Sequence, residues 1–397
     1  MDDTSGILDE ALERLHTTGP ERHGWLSNHA PMAVEALTRH GQAATVHRWI
    51  DSYAGKLEDR PRPVAPVTDA TWRQALGDPR HLTDWADFFG RQVAERPWRA
   101  VLAEWWPRLL PGMLASATHG VIRVGHAVRT LLDDERGAHA LAPGSATGLA
   151  SSGPSGPRLT ELAEALGYWA ARHQPLPMAV DVAGDAEPET ALAGLPRLAD
   201  QSGGIRDRLA RIPSVPHWPE AACALHVPDV ADEAYAQLRR LVRAATERYV
   251  THGHGDPIML VHAATAPNAV LRTLPALPRE LWAPSLRAVW PSVAAIMTSY
   301  GPATPLTASG APDPWAGRAP FVAASPEPEA ERSVARAVER ARAMTPDEVF
   351  TRAASHGDEH VIKFADTALD AVVDAPDGDR RALVAALHAQ SMIDSPR

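Results

Sequence analysis

The chain has 397 residues, a formal net charge of −10, 45% hydrophobic and 22% charged residues. This is a globular rather than a disordered composition. With no basic run, it argues against a nucleic-acid partner, whose phosphates reward clustered Lys and Arg. Cys223 is the only cysteine, which excludes an intrachain disulfide and a cysteine-based zinc site. The acidic start is unlike a signal peptide, and no apolar run approaches the roughly 18 residues of a membrane span. A cytoplasmic protein without a membrane partner is the expectation.

Apolar residues recur at three- and four-residue spacing almost throughout, while alternating or β-branched runs are nearly missing, so the chain predicts an all-α fold. Ile7–Leu15 is the first such segment. Pro31 suits the first turn of a helix over Met32–Arg39, which places His29 immediately before a helix N-terminus. Trp25, Trp85, Phe88 and Phe89 are aromatic residues able to line a pocket or fill the core. Arg96–Ala115 continues the helical pattern. In the next segment Val121, Ile122, Val124 and Val128 predict a buried helix, with His119 and His126 on one face, seven residues apart. Gly120 and Gly125 permit close approach of a neighbour.

Ala142–Pro157 is rich in Gly, Ser, Ala and Pro and predicts a flexible loop, since it cannot bury enough apolar surface to offset its ordering entropy. Helical spacing resumes over Leu159–Ala171 and Val230–Tyr249. His262 falls in the apolar run Ile258-Met-Leu-Val-His-Ala-Ala, where a buried histidine needs a hydrogen bond or a metal. A second loop-rich stretch runs from Gly301 to Pro326. No repeat of fixed period stands out, and the expectation is one large helical domain over 1–397 with long Pro/Gly-rich loops.

Only two of the 39 basic residues are lysines, Lys56 and Lys363. Arginine serves equally well on a surface, so a retained lysine invites a chemical reason. A neutral lysine amine can add CO2 to become a carbamate, an anionic metal ligand, whereas guanidinium stays charged. Asp358 predicts an N-cap for a helix through Val372, on which His360 and Lys363 are i and i+3 and share a face. The plainer alternative is a surface lysine paired with Glu359 or Asp366. No dinucleotide-binding glycine motif, Walker loop, nucleophile elbow or His-Glu-x-x-His occurs.

Taken together, Ser27-Asn-His29-Ala-Pro-Met, Asp84-Trp-Ala-Asp-Phe-Phe89, Thr118-His119-Gly-Val-Ile-Arg-Val-Gly-His126, Val261-His262-Ala-Ala-Thr265 and His356-Gly-Asp-Glu-His360-Val-Ile-Lys363 resemble the questin oxidase-like family of aromatic polyketide pathways. Family members usually carry proline at the position of Gly120, and the next segment differs at Arg123 and His126. The resemblance implies an α-helical oxygenase that opens the ring of an anthraquinone-type polyketide, with O2 as co-substrate and a Baeyer–Villiger-like or dioxygenase outcome. It also implies a non-haem Fe(II) held by His29, His119, His262, His360 and a CO2-derived carbamate on Lys363, with His360 and Lys363 nearest the chemistry. Trp25, Trp85, Phe88 and His126 are candidates for the substrate pocket. No motif calls for NADPH, although the resemblance leaves room for it. Two alternatives stay open at this point: a hydrolase whose carboxylated lysine bridges two metals, and a helical binding protein whose histidines are core residues.

Overall fold

The computed structural model describes residues 4–141, 156–306, 328–373, 375 and 378–396. The predicted loop therefore lies outside the described residues except for Gly156 and Pro157, which open a helix. Residues 307–326 of the second loop-rich stretch also lie outside them. Among the described residues the fold is all-α, its strands being a two-residue pair, and no helix is long and apolar enough to cross a membrane. The chain groups into two compact units, residues 1–176 with 269–288 and residues 177–268 with 289–397.

The first unit opens with α1 (Thr4–His16), the hairpin β1 (Glu21–Arg22) and β2 (Leu26–Ser27), α2 (Ala30–Arg39) and α3 (Val46–Tyr53). Then come α4 (Trp72–Ala75), α5 (Leu82–Glu95), α6 (Trp98–Leu109), α7 (His119–Leu141) and α8 (Gly156–Ala171). Its core is aromatic: Trp85, Phe88 and Phe89 of α5 meet Trp105 of α6 with ring centroids 5.0–5.6 Å apart, a separation that favours edge-to-face contact. Each such ring withdraws roughly 150–250 Å2 from water, worth at most about 4–6 kcal/mol. Trp85 also satisfies its indole by donating to the Ala75 carbonyl at 3.0 Å.

Two glycines of α7 allow close packing on this frame. A Cβ at Gly120 would stand 2.8 Å from Trp169 Cβ in α8, and one at Gly125 would stand 2.6 Å from Ala269 Cα. Both approaches are closer than any larger side chain tolerates.

The second unit holds α9 (Pro188–Ala193), α10 (Ile205–Arg211), α11 (Trp218–Cys223), α12 (Ala231–His252) and α13 (Pro257–Leu260). The chain then runs through α14 (His262–Thr273) and α15 (Trp282–Tyr300), each of which has residues in both units, to α16 (Pro328–Ala343), α17 (Pro346–His356), α18 (Glu359–Val373) and α19 (Arg381–Met392). Helices α12, α16, α17, α18 and α19 pack together, with Tyr249 against Phe364 at 4.7 Å. A capping box of Thr345 and Glu348 starts α17, and Gly357 at φ 84° ends it, as the left-handed C-terminal position prefers. Asp358 accepts hydrogen bonds from the backbone N–H groups of His360 (2.8 Å) and Val361 (3.1 Å), so the predicted cap starts α18.

Candidate metal centre

In the first unit, His29 and His119 stand at the N-termini of α2 and α7 and are 3% and 7% exposed. Each ring is oriented by a backbone carbonyl nearby in sequence. His29 Nδ1 lies 2.6 Å from the Ser27 carbonyl oxygen, and His119 Nδ1 lies 2.5 Å from that of Ser116. A carbonyl only accepts, so both Nδ1 atoms carry a proton, and in the neutral rings both Nε2 atoms keep lone pairs.

Those two Nε2 atoms face each other at 2.7 Å, with the rings nearly perpendicular. Two converging lone pairs repel unless a shared proton or a metal cation lies between them. Nitrogens each about 2.1 Å from one metal, at right angles, stand roughly 3 Å apart. The pair therefore has the donor type, tautomers and approximate spacing of two neighbouring ligands on one ion.

The backbone before His119 is unusual. Ser116, Ala117 and Thr118 have φ of 45°, 55° and 71°, the left-handed region that costs a non-glycine residue roughly 1–2 kcal/mol. For the β-branched Thr118 it is a clear outlier. This turn aims the Ser116 carbonyl at the imidazole. Strain held at this point by the packed surroundings is typical of functional sites.

In the second unit, His262, His360 and Lys363 are 1%, 6% and 0% exposed. The imidazole centroids of His262 and His360 are 5.7 Å apart. His262 Nδ1 lies 3.2 Å from the Met259 carbonyl, which repeats the orientation seen at His29 and His119. Burial, with the charges of Lys363 and His360, holds the His262 pKa well below its ordinary value, so the ring is neutral and able to bind a metal. His360 Nδ1 is 3.5 Å from the Asp358 carboxylate. Within each pair, candidate ligand nitrogens lie within 4.8 Å of each other.

Full burial removes the surface-lysine alternative for Lys363. Burial lowers its pKa from 10.5 to about 7, against the opposing pull of the Glu359 and Asp358 carboxylates. A substantial neutral fraction of the amine follows near pH 7. Asn268 of α14 donates to Thr367 Oγ1 (3.2 Å) and Asp370 Oδ2 (3.0 Å), tying the helix of His262 to that of His360 and Lys363. Lys56, by contrast, lies over the Tyr53 ring at 5.0 Å, partly exposed.

The remaining candidates take other places. Trp85 and Phe88 are core members of the α5–α6 aromatic cluster, and Trp25 is 57% exposed in the hairpin turn. His126 is buried, with Nδ1 2.6 Å from Glu35 Oε2. Glu35 also takes two bonds from Arg129. One turn after His119, Arg123 forms a bidentate pair with Glu161 of α8, at 2.6 and 2.8 Å. Sequence reasoning did not single out Glu35, Arg129 or Glu161. The available signal was a charge next to an apolar residue within a largely apolar helical stretch: Glu35 between Val34 and Ala36, Arg129 after Val128 and Glu161 before Leu162.

The match to known proteins covers nearly the same span as these landmarks. A family model described as questin oxidase-like matches residues 26–368. Neither the curated proteins nor the solved structures yield a match. The family supports an oxidoreductase acting on small aromatic molecules of anthraquinone pathways. With the match spanning most of its 397 residues, the chain belongs to the questin oxidase-like family.

Proposed function

We propose that this protein is a non-haem iron oxygenase that opens the ring of an anthraquinone-type polyketide, and that His29, His119, His262, His360 and carboxylated Lys363 hold one Fe(II). The observation that carries the proposal is the 2.7 Å approach of the His29 and His119 Nε2 atoms, both Nδ1 protons being committed to carbonyls. The donor chemistry fits the metal: neutral imidazoles suit iron(II), and a carbamate adds the negative charge that a buried dication needs. The four histidines and carboxylated Lys363 would hold the iron, which would supply the one-electron activation of O2 toward an electron-rich hydroquinone ring.

The chain's own residues supply the rest. The carbonyls of Ser27, Ser116 and Met259 fix the imidazole tautomers, a role that outer partners commonly play around metals. Burial favours the neutral Lys363 amine, which can attack CO2 and release one proton as the carbamate forms. We further propose that 1–397 acts as one functional domain, because the five ligands are drawn from residues 29–363.

A hydrolase with a lysine-bridged metal pair is disfavoured, since such sites usually sit on parallel-stranded barrels and the described strands are one two-residue antiparallel pair. Anaerobic purification followed by metal analysis tests the assignment. One iron per chain, with O2 uptake on an anthrahydroquinone, is expected. Two zinc ions would favour the hydrolase. Absence of any metal uptake would mean a proton bridges the histidines and would return the protein to the class of helical binding proteins.

A further inference from the structure

Helices α2 and α7 pack on each other, and each begins at a histidine of the close pair, His29 as the N-cap of α2 and His119 as the first residue of α7. Two rings on separate helices meet at 2.7 Å only if something sets the axial register of those helices. Apolar packing alone is permissive, because small and branched side chains tolerate sliding and rotation better than directional bonds do. Among the described residues, ion pairs join α2 and α7 at two places. Arg39 meets Asp133 at 2.6 Å, but both side chains are more than a third exposed and the pair is weakened by solvent. The buried Glu35 is the directional element shielded from water. Six residues along α2 from His29, it accepts from His126 Nδ1 (2.6 Å) and from Arg129 Nε (2.8 Å) and Nη2 of α7. All three residues are 4–5% exposed.

At about 1.5 Å rise per residue, Glu35 sits some 9 Å along α2 from His29, and His126 about 10.5 Å along α7 from His119. The two arms are nearly equal. A carboxylate gripped from two sides therefore locks the helices so that both imidazoles reach the same point. A slip of one residue would displace a ring by 1.5 Å and turn it by about 100°, far outside what a metal tolerates.

We propose that Glu35 is a positioning residue for the metal ligands His29 and His119, acting through the helix register set by its bonds to His126 and Arg129. This inference rests on the metal-binding reading of the histidine pair. Among the directional contacts described, it assigns a role to the buried histidine and arginine that the ligand set leaves unused.

The test measures Co(II) and Fe(II) binding by anaerobic titration of the full chain, with the Co(II) ligand-field spectrum as a second readout and far-UV circular dichroism to verify the fold. Glu35→Gln removes the charge, while Glu35→Asp keeps it and shortens the arm by one methylene. Val34→Ala, at a fully buried neighbour in α2, weakens the same helix without touching the carboxylate. Both Glu35 variants should bind either metal about 10–100-fold more weakly, the usual loss for outer partners, and shift the Co(II) bands. Val34→Ala should change neither by more than a few-fold. Should Glu35→Gln fail to fold, Glu35→Asp alone decides. Equal affinities and spectra for wild type and Glu35→Asp would overturn the positioning role while leaving the metal site intact. A wild-type chain that takes up no metal would overturn both.

Discussion

Substituting Glu161 by Gln should make stability less dependent on acid, by an amount the structure sets. Glu161 receives two bonds from Arg123 and one from His16 at 3.0 Å, and both carboxylate and guanidinium are 5% exposed. Burial alone would raise its pKa, but the Arg123 charge and the hydrogen bonds outweigh burial and lower it from 4.5 to about 2. A depressed carboxylate stabilises the folded chain fully above pH 4.5, and that stabilisation fades as pH falls from 4.5 to 2. A shift from 4.5 to about 2 corresponds to about 3 kcal/mol at pH 7, falling to about 2 by pH 3.5.

Glu161→Gln should therefore be less stable than wild type by about 3 kcal/mol at pH 7, in line with the loss of one partner of a buried pair, and the gap should narrow by about 1 kcal/mol by pH 3.5. Urea unfolding followed by circular dichroism at pH 7, 4 and 3.5 measures the gap. Taking the difference between variants cancels other acid-sensitive groups that lie far enough away, as additivity requires. Stability curves that run parallel across this range would refute the argument, because the pair would then contribute no proton-linked energy.

Lys363→Met should abolish iron uptake yet raise the stability of the metal-free chain at pH 6, since a buried ammonium costs several kcal/mol. Thermal unfolding and metal analysis of the same sample test both halves. Lys363→Arg should also lose iron and O2 uptake, because guanidinium forms no carbamate, and retention of both would remove the carbamate from the scheme. Asp358→Ala removes the cap of the helix carrying His360 and Lys363 and should cost about 0.5–2 kcal/mol, with weaker Co(II) binding seen in titration. Gly125→Ala places a methyl 2.6 Å from Ala269 Cα and should destabilise by about 1–3 kcal/mol. A melting temperature unchanged from wild type would mean the helices can part freely.

The all-α class and the course of many helices are legible in the sequence because local spacing determines them. Ile7–Leu15 becomes Thr4–His16, Leu159–Ala171 becomes Gly156–Ala171, and Val230–Tyr249 becomes Ala231–His252. Pro31 and Asp358 mark the starts of α2 and α18 through the same short-range rules. The scarcity of lysine singles out Lys363, and its helical spacing sets it beside His360.

Burial and partnership have longer range. Helical spacing allows Lys363 to pair with Glu359 on a surface, and only packing determines that the whole first half of α18 is enclosed and that the Lys363 amine has its pKa lowered to about 7. Likewise, no local pattern places His29 opposite His119, 90 residues away, or closes Glu35 on His126 and Arg129. The three left-handed residues before His119 carry no glycine or asparagine to announce them. Sequence periodicity encodes which face of a helix is apolar; which histidines share a point in space, and in which tautomer, depends on the register between helices that only the folded chain defines.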